Sequence, residues 1–514
     1  MSEGAAALSL GRAAAHPGLK VRTLAASLLA LFAADNLLLL HFWGLSLPAT
    51  AALVFVAGTA IWLLCGMISD NVPTVPLRSF AIALGLSLAL FALGGEGHFF
   101  YANTDWQIRD AVLRDMATNP WPYAYDIKGT AYFLRAPLGT YLVPAMFGTN
   151  ADVALLFCNS FRLAILLALG WHLFERKRDR IIGLTVFVLF SGWDVVGTAI
   201  YAALGARLSW DHLEPWNFGY QYSSHVTQAF WVPQHALAGW TCALTFLLWR
   251  KGLVPIGIFA ASIPLVAIWS PLAIMGAVPF AVFAGISVLK TRAFGVGDIA
   301  LAAVAVAIAL PALLYLQIDA ASVGMHILRT NPLIWALCVA LEVLPFTVPL
   351  LRERESHATD KPVVRLIQFL LLAMPLIQVG VSADFQMRAS IMPLALLSIL
   401  FAQWICRAIG RDPKGNAALA YGALAVALGA VTPLLEVRRA VIDGPSPRPL
   451  CSLIGVWHKQ DNMDVPYAMY LAPVTKLPSA IADIPVTAGR SDPDYCWDRK
   501  WVLPSHGRGD ADIV

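Results

Sequence analysis

A group of charged residues in the first third of the chain contains the strongest candidates for chemistry. Thr104 precedes Asp105, and Gln107 lies three residues after the threonine, a spacing that predicts a capping box at the start of a helix. Pro120 predicts that this helix ends by Asn119. A carboxylate in the first helical turn is held in its charged form by the helix dipole. It can orient a hydroxyl group more readily than it can deprotonate one, because the same dipole weakens it as a base.

Helical periodicity places Asp105 and Arg109 on one face of this segment, and Asp110 and Arg114 on another. Each face therefore carries an acidic and a basic residue four positions apart. On a solvated helix, such a pair stabilises the helix by only a few tenths of a kcal/mol. One interpretation is an interfacial helix with its ion pairs in water. The other is a site in which Asp105 is catalytic and Arg109 and Asp110 bind substrate. The position of Asp105 just outside an apolar segment favours the interpretation as a substrate site.

A second polar segment, residues 205–234, is rich in tryptophan, tyrosine and histidine. Tryptophan and tyrosine anchor helices at membrane interfaces, and the same rings can stack on the apolar faces of sugars. A histidine at the mouth of a helix can donate to phosphate or accept from a hydroxyl. We predict that His225, Gln234 and His235 bind substrate. The histidine spacing matches no recognisable metal site, so no metal ligand is predicted, although a divalent metal stays open as a cofactor.

A third segment, residues 382–388, carries Asp384 and Arg388 between two long apolar runs. One interpretation is an arginine that extends its charged end to the membrane interface. The other is that its planar guanidinium binds the phosphate of a lipid carrier through paired hydrogen bonds. On the second interpretation, both residues belong to a substrate-binding site.

These segments interrupt a chain of 514 residues that is 58% hydrophobic and only 13% charged. A soluble globular chain carries about 25% charged residues, so lipid must cover most of this surface. The net charge of +4 gives no sign of a nucleic-acid partner. Because roughly 20 apolar residues cross a bilayer, we predict an all-α polytopic membrane protein of about thirteen transmembrane helices, at residues 24–42, 48–68, 79–95, 151–174, 181–204, 235–249, 253–270, 272–289, 297–318, 332–351, 364–381, 389–408 and 417–435.

Clusters of lysine and arginine, such as residues 176–180 and 290–292, fall in short connections between these helices. The positive-inside rule places those connections in the cytoplasm. The opposite side then carries the loops 96–150, 205–234, 319–331 and 382–388. We predict a multi-pass protein of a bacterial inner membrane, with a cytoplasmic N-terminal region (1–23), a transmembrane domain (24–435) and a small periplasmic C-terminal region (436–514). A disulfide between Cys451 and Cys496 can form in that oxidising compartment.

Three carboxylates, Asp35, Asp194 and Glu342, lie inside predicted spans. An intramembrane carboxylate is costly and should face the bundle interior or a watery cavity. Asp35 and Asn36 can also bond across helices. Together the three support a transporter or flippase as an alternative function. The sequence shows no internal repeat typical of transporter folds, and long loops on one side favour an enzyme.

The span that leads into a long outer loop with an early aspartate and a juxtamembrane helix resembles the GT-C superfamily of integral-membrane glycosyltransferases. The resemblance implies a polyprenyl-phosphate sugar as donor, a glycan, lipid or protein as acceptor, and Asp105 as the essential acidic residue. It also implies a basic residue late in the chain near the phosphate, which Arg388 would supply. This loop follows the third predicted span rather than the first, so residues 24–42 and 48–68 would form an added hairpin.

Two further classes of membrane enzyme have outer loops or histidines like those of this chain. A polysaccharide polymerase or ligase uses similar outer loops, but these are rich in arginine, and the loops here contain few. A membrane acyltransferase could use His225 or His235 as a base, but the expected catalytic motif is absent. Glycosyl transfer on the periplasmic face is therefore the predicted function.

Overall fold

The protein is a multi-pass, mostly helical membrane protein. A computed structural model describes residues 18–66, 74–206, 208–217, 219–328, 331–353, 360–380, 383–411, 417–459, 469–481, 483–488 and 492–501. Most of the predicted N-terminal region 1–23 and the first residue of the predicted loop 382–388 lie outside these ranges. The α-helices are α1 (Val21–Phe42), α2 (Leu47–Gly66), α3 (Leu77–Leu93), α4 (Asp105–Thr118), α5 (Gly139–Ala145), α6 (Ala151–Gly170), α7 (Lys177–Leu189), α8 (Asp194–Ala203), α9 (His225–Trp231), α10 (Pro233–Arg250), α11 (Ile256–Leu265), α12 (Pro271–Thr291), α13 (Val296–Gln317), α14 (Pro332–Glu342), α15 (Leu344–Arg352), α16 (Asp360–Ala373), α17 (Asp384–Ala389), α18 (Ile391–Arg411), α19 (Ala417–Gly429), α20 (Val431–Ile442) and α21 (Leu453–Lys459).

Among the described residues, eight helical segments are long and apolar enough to cross a membrane. They are α1, α2, α6 with its flanking turns, α7 with α8, α12, α13, α18, and α19 with α20. The pair α14 and α15, which bends by 60°, makes a ninth if it is one span. The remaining predicted spans lie on α3, α10, α11 and α16, which have 17, 18, 10 and 14 residues. The predicted total of about thirteen spans is therefore larger than the eight or nine segments that are long and apolar enough to cross a membrane.

The strands are short and lie outside the bundle: β1 (Gly18–Lys20), β2 (Thr74–Pro76), β3 (Ala124–Ile127), β4 (Thr130–Leu134), β5 (Met325–Ile327), β6 (Ile377–Val379), β7 (Leu471–Pro473) and β8 (Val486–Ala488). The largest sheet has the order β7-β4-β3-β8. Its central hairpin belongs to the predicted first loop, and its edge strands belong to the C-terminal region. We call the end of the bundle that carries this sheet, α4, α9 and α17 the loop-bearing face.

A buried ion pair joins α1 to α6 inside the bundle. Arg162 Nη2 donates to both carboxylate oxygens of Asp35, at 2.9 and 2.7 Å, and the Trp269 indole donates to the same carboxylate at 2.8 Å. The side chains of Asp35 and Arg162 are 0% and 3% exposed. Asn36 bonds across helices as predicted, because its amide donates to the carbonyl of Leu265 at 2.7 Å. This carboxylate therefore has its counter-charge within the protein.

The C-terminal region packs on the first loop rather than forming a separate cap. Cys451 and Cys496 form a disulfide, which joins the two halves of this region. Asp115, at the end of α4, accepts hydrogen bonds from the Tyr125 hydroxyl at 2.8 Å and from the backbone N–H of Leu453 at 2.7 Å. Burial raises the pKa of Asp115 to about 7. One buried carboxylate therefore connects α4, β3 and α21.

Replacing Tyr125 with phenylalanine is expected to destabilise the protein by about 1–2 kcal/mol, because it leaves the buried Asp115 short of one donor. Thermal denaturation of the purified protein measures this change. Tyr132→Phe, on the partly exposed facing position of β4, is the matched control and should stay within about 0.5 kcal/mol of the wild type. Equal effects of the two substitutions would contradict the role assigned to this hydrogen bond.

The predicted helix in the first loop is present, but two of its predicted details are wrong. Thr104 has helical backbone angles and makes no side-chain capping bond, because Asn103 Oδ1 caps the helix instead, accepting from the N–H of Asp105 at 3.0 Å. Arg114 pairs with its neighbour Asp115 at 3.4 Å, since Asp110 faces the bundle. The helix ends at Thr118, as Pro120 predicts.

Candidate functional site

Hydrogen bonds to α9 fix the start of α4. Asn103 Nδ2 and the Trp106 indole both donate to the carbonyl of Phe230, at 2.9 and 2.8 Å. These two residues flank Asp105 on either side, so the backbone that carries the carboxylate is held in place. The Asp105 side chain is nevertheless 43% exposed. A fixed but accessible carboxylate suits contact with a substrate.

Arg109 lies one turn after Asp105 and joins α4 to α10. Its Nη1 donates to Gln234 Oε1, and its Nη2 lies 3.7 Å from Asp105 Oδ2. The side chain is only 7% exposed. Its buried Nε has no acceptor among the described residues. The guanidinium therefore retains one unused donor beside Asp105.

The N-terminus of α10 contributes Gln234 and His235, both buried. Pro233 begins this helix, a position that proline favours because its fixed φ suits the first turn. His235 Nδ1 lies 2.8 Å from Ser270 Oγ, and that hydroxyl also caps α12 by accepting from the N–H of Ala273. These bonds fix the imidazole ring, with its second nitrogen left for other contacts.

Helix α17 contributes Asp384 and Arg388, which form an ion pair one turn apart. Their side chains are 16% and 13% exposed. Arg388 lies close enough to Asp105 to favour its charged form, and close to His235 as well. Arg388 Nε is buried and, within the described part of the chain, has no acceptor.

Three segments that are distant in sequence thus meet on the loop-bearing face. We call their six residues the Asp105 cluster: Asp105, Arg109, Gln234, His235, Asp384 and Arg388. Although part of the Asp105 side chain is exposed, the protein packed around it removes enough water to raise its pKa above the ordinary value, and the charges of Arg109 and Arg388 oppose that rise. The carboxylate is therefore a better proton acceptor than its position in a first helical turn alone predicts.

Two tyrosines beside this cluster were missed by the sequence analysis. Tyr470 comes from the C-terminal region, where its carbonyl accepts from the N–H of Arg135 at 2.7 Å, next to the β4–β7 pairing. Its phenol lies near Asp105, Arg109 and Arg388, and burial raises its pKa. Tyr141 of α5 lies near Arg109 and Tyr470. Tyr470 directly precedes β7, so its position beside the cluster could have been predicted only from the pairing of β7 with the distant strand β4.

His225 lies apart from the Asp105 cluster. Its ring stacks on Phe187 and Phe190, with ring centroids 4.1 and 5.5 Å away, and its Nδ1 lies 2.7 Å from the carbonyl oxygen of Phe187. These contacts give it a packing role between α9 and the end of α7.

Asp110 also faces away from Asp105, into a second buried polar group. Burial raises the pKa of Asp110 to about 7, and the nearby His98 opposes that rise. His98 in turn contacts Asp152 at 3.5 Å and Ser446 at 3.0 Å. Burial lowers the pKa of His98, but the carboxylates of Asp110 and Asp152 outweigh burial and raise it above its ordinary value. Arg109 lies near Asp110 and also contacts Asp105, so this buried group adjoins the Asp105 cluster along α4.

The Asp105 cluster combines groups for two tasks. One accessible carboxylate can orient a hydroxyl group and accept its proton. Two guanidinium groups, each with an unused buried N–H, can bind an anion such as phosphate. Each arginine already contacts a carboxylate, so the four charges balance before any substrate arrives. A bound phosphate would compete with Asp105 and Asp384 for these donors.

In the ranges that the structure covers, no group of three or more histidine, cysteine, aspartate or glutamate side chains is arranged to hold a metal ion. Comparisons with protein-family models, with curated proteins and with solved structures find no match to this chain.

Proposed function

We propose that the protein is a membrane glycosyltransferase that moves a sugar from a polyprenyl-phosphate donor to an acceptor on the periplasmic face of a bacterial inner membrane. The proposal includes a GT-C-like arrangement of about thirteen spans, in which α3, α10, α11 and α16 also cross the bilayer. The observation that carries it is the juxtaposition of the accessible Asp105 with Arg109 and Arg388. The phosphate of the donor needs a positively charged partner and the acceptor hydroxyl needs a carboxylate, and the two substrate groups must bind next to each other.

In the proposed reaction, the acceptor oxygen forms a bond to the anomeric carbon of the sugar. The bond from that carbon to the phosphate oxygen breaks, and the polyprenyl phosphate departs with the electron pair. Asp105 orients the hydroxyl and receives its proton, while Arg388 stabilises the charge on the departing phosphate. Arg109 holds Asp105 in position and links it to Gln234.

A transporter or flippase for a lipid-linked glycan is the second candidate. The bent pair α14–α15 and the interruptions between α7 and α8 and between α19 and α20 favour it. Discontinuous membrane helices are typical of transport sites. The Asp105 cluster lies at the end of the bundle rather than at these interruptions, which favours the enzyme.

Surface glycans and lipid-linked sugars, measured by mass spectrometry, discriminate the two candidates. The comparison uses a deletion strain, the same strain with the wild-type gene, and the same strain with Asp105→Asn. An undecorated glycan in both the deletion and the Asp105→Asn strains is expected for transfer. A lipid-linked precursor that accumulates on the cytoplasmic leaflet would overturn the enzyme proposal in favour of transport.

Replacing Arg388 with lysine is expected to raise the KM for the lipid-linked donor by about 10-fold to 100-fold, because lysine keeps the charge but loses the paired hydrogen bonds to phosphate. Initial rates at varied donor concentration measure this change. Arg365→Lys, the same substitution at an exposed position of α16, should leave the KM unchanged. A donor KM in Arg388→Lys equal to that of the wild type would count against phosphate binding by Arg388.

A further inference from the structure

A groove of about 340 Å³ runs along the outside of the bundle between α3, α6, α7, α10 and α18. Its lining is almost entirely apolar, and Ile82, Leu86 and Ile181 along its rim are exposed. Its floor is buried and includes Leu163 and Ala243. The groove is therefore open to the surroundings of the helices, which for a multi-pass membrane protein are the lipids of the bilayer.

The groove begins at the end of the bundle opposite the loop-bearing face. α6 starts near α4, where Asp152 lies close to Asp110, and its 20 residues cover about 30 Å before the chain turns at Trp171. From that turn the groove extends inward by about 10 Å, the rise of α7 between Arg180 and Phe187. This depth lies within one leaflet of a bilayer core of about 30 Å.

Two basic side chains, Lys177 and Arg180, line the mouth of the groove at this end. They lie three positions apart in the first turn of α7 and therefore share a face of the helix. The ion pairs of the described residues include neither of them, whereas the neighbouring Arg178 pairs with Asp179 at 3.0 Å. Residues 175–180 carry four basic and two acidic side chains, so the charge at the mouth is positive.

Contacts with the preceding turn hold Arg180 in position. Its guanidinium lies 4.2 Å from the ring centroid of Trp171, and its Nε donates to the carbonyl of Phe174 at 3.1 Å. A Cβ at Gly183 would lie 2.4 Å from the Phe174 ring, so this glycine lets the ring pack against α7. Within the described part of the chain, only the Nε of Arg180 has an acceptor. Its two terminal amino groups therefore remain for a ligand, and such paired donors match the oxygens of a phosphate.

We propose that this groove binds one anionic phospholipid of the leaflet opposite the loop-bearing face, with an acyl chain between α3 and α7 and the phosphate at Arg180 and Lys177. Basic pockets between membrane helices are typical sites for anionic head groups, and tryptophans such as Trp171 are enriched at the head-group level. A zwitterionic lipid lacks the net negative charge that the two basic residues would neutralise. The site lies at the other end of the bundle from the Asp105 cluster, and its existence does not depend on glycosyl transfer.

Native mass spectrometry of the purified full-length protein tests the site directly. The protein is titrated in detergent with dioleoyl phosphatidylglycerol and, separately, with dioleoyl phosphatidylcholine, which has the same acyl chains and no net charge. The wild type should bind one phosphatidylglycerol about 10-fold to 30-fold more tightly than phosphatidylcholine, as expected for two basic side chains at a head group. Equal affinities would mean that any lipid fills the groove and would overturn the proposal. This comparison uses the wild type, so it decides the matter even where a variant fails to fold.

The double variant Lys177→Gln with Arg180→Gln should bring the affinity for phosphatidylglycerol to within about threefold of that for phosphatidylcholine. Lys290→Gln with Arg292→Gln removes the same charge at exposed positions at the end of α12 and should bind as the wild type does. A preference for phosphatidylglycerol that persists in the first double variant, or disappears in the second, would overturn the assignment to this groove.

Competition with undecaprenyl phosphate tests whether the ligand is a phospholipid or a polyprenyl carrier, since both contain a phosphate and a long apolar chain. Phosphatidylglycerol should remain bound in the presence of an equal concentration of undecaprenyl phosphate. Its complete displacement under these conditions would overturn the proposal in favour of the polyprenyl carrier.

Discussion

Replacing Asp105 with asparagine is expected to lower the rate of sugar transfer by about 10³-fold, within the range that a positioned proton acceptor contributes. Asparagine keeps the shape of the side chain and its exposure, but it cannot accept the acceptor's proton or carry charge beside Arg109 and Arg388. A transfer assay with purified protein, lipid-linked donor and acceptor measures the rate.

Asp126→Asn provides the matched control, because Asp126 is exposed in the same loop and its carboxylate accepts a hydrogen bond from the N–H of Gly129 at 2.8 Å. Its rate should equal that of the wild type. The pH profile adds a second test. Since the pKa of Asp105 is raised, wild-type activity should fall, as the pH drops, at a pH above the ordinary aspartate pKa of 3.8. Full activity in Asp105→Asn would remove Asp105 from the mechanism.

Replacing Arg162 with methionine is expected to destabilise the protein by about 3–5 kcal/mol, because Asp35 stays buried but loses its counter-charge and two hydrogen bonds. Arg162 contributes two hydrogen bonds to Asp35, and its guanidinium lies 4.8 Å from the ring centroid of Trp269. Denaturant titration of the protein in detergent, followed by tryptophan fluorescence, measures the free energy of unfolding.

The double variant Asp35→Leu with Arg162→Met separates the ion pair from general packing. Removing both charges should recover most of the lost stability, since apolar residues of similar volume often replace a buried ion pair without cost. If the double variant is as unstable as Arg162→Met alone, packing around Trp269 is the dominant contribution. A single variant as stable as the wild type would contradict the role assigned to the pair.

The same pair shows what the sequence could and could not predict. Asp35 stands out as a charge in an apolar run, and of the two expected surroundings, the bundle interior and a watery cavity, the structure has the bundle interior. Arg162 lies 127 residues away in another apolar run. The sequence gives no measure of which faces of α1 and α6 meet, so the partner could not be identified. A charged residue in an apolar run indicates that it needs a polar partner, but the packing of the helices determines which residue that partner is.

In the candidate site, too, some residues could be predicted from the sequence and others depend on tertiary packing. Asp105, Gln234, His235, Asp384 and Arg388 were predicted because they lie next to apolar runs on one predicted side of the membrane, and Arg109 because it shares a helix face with Asp105. The ends of neighbouring helices are close in space, so the structure brings these six together. His225 fails this rule because α9 turns its ring toward Phe187. Tyr470 was missed because a strand pairing, rather than a helix end, brings it there.

The sheet β7-β4-β3-β8 also sets an order of events during synthesis. About 340 residues separate Leu134 of β4 from Leu471 of β7, which at about 5–20 residues per second takes roughly 20–70 s. Throughout that interval the β3–β4 hairpin has both edges open and Tyr470 has yet to be made. A ribosome-bound chain that ends before β7 therefore carries the six residues of the Asp105 cluster without the neighbouring Tyr470 and without the strand that holds this tyrosine in place.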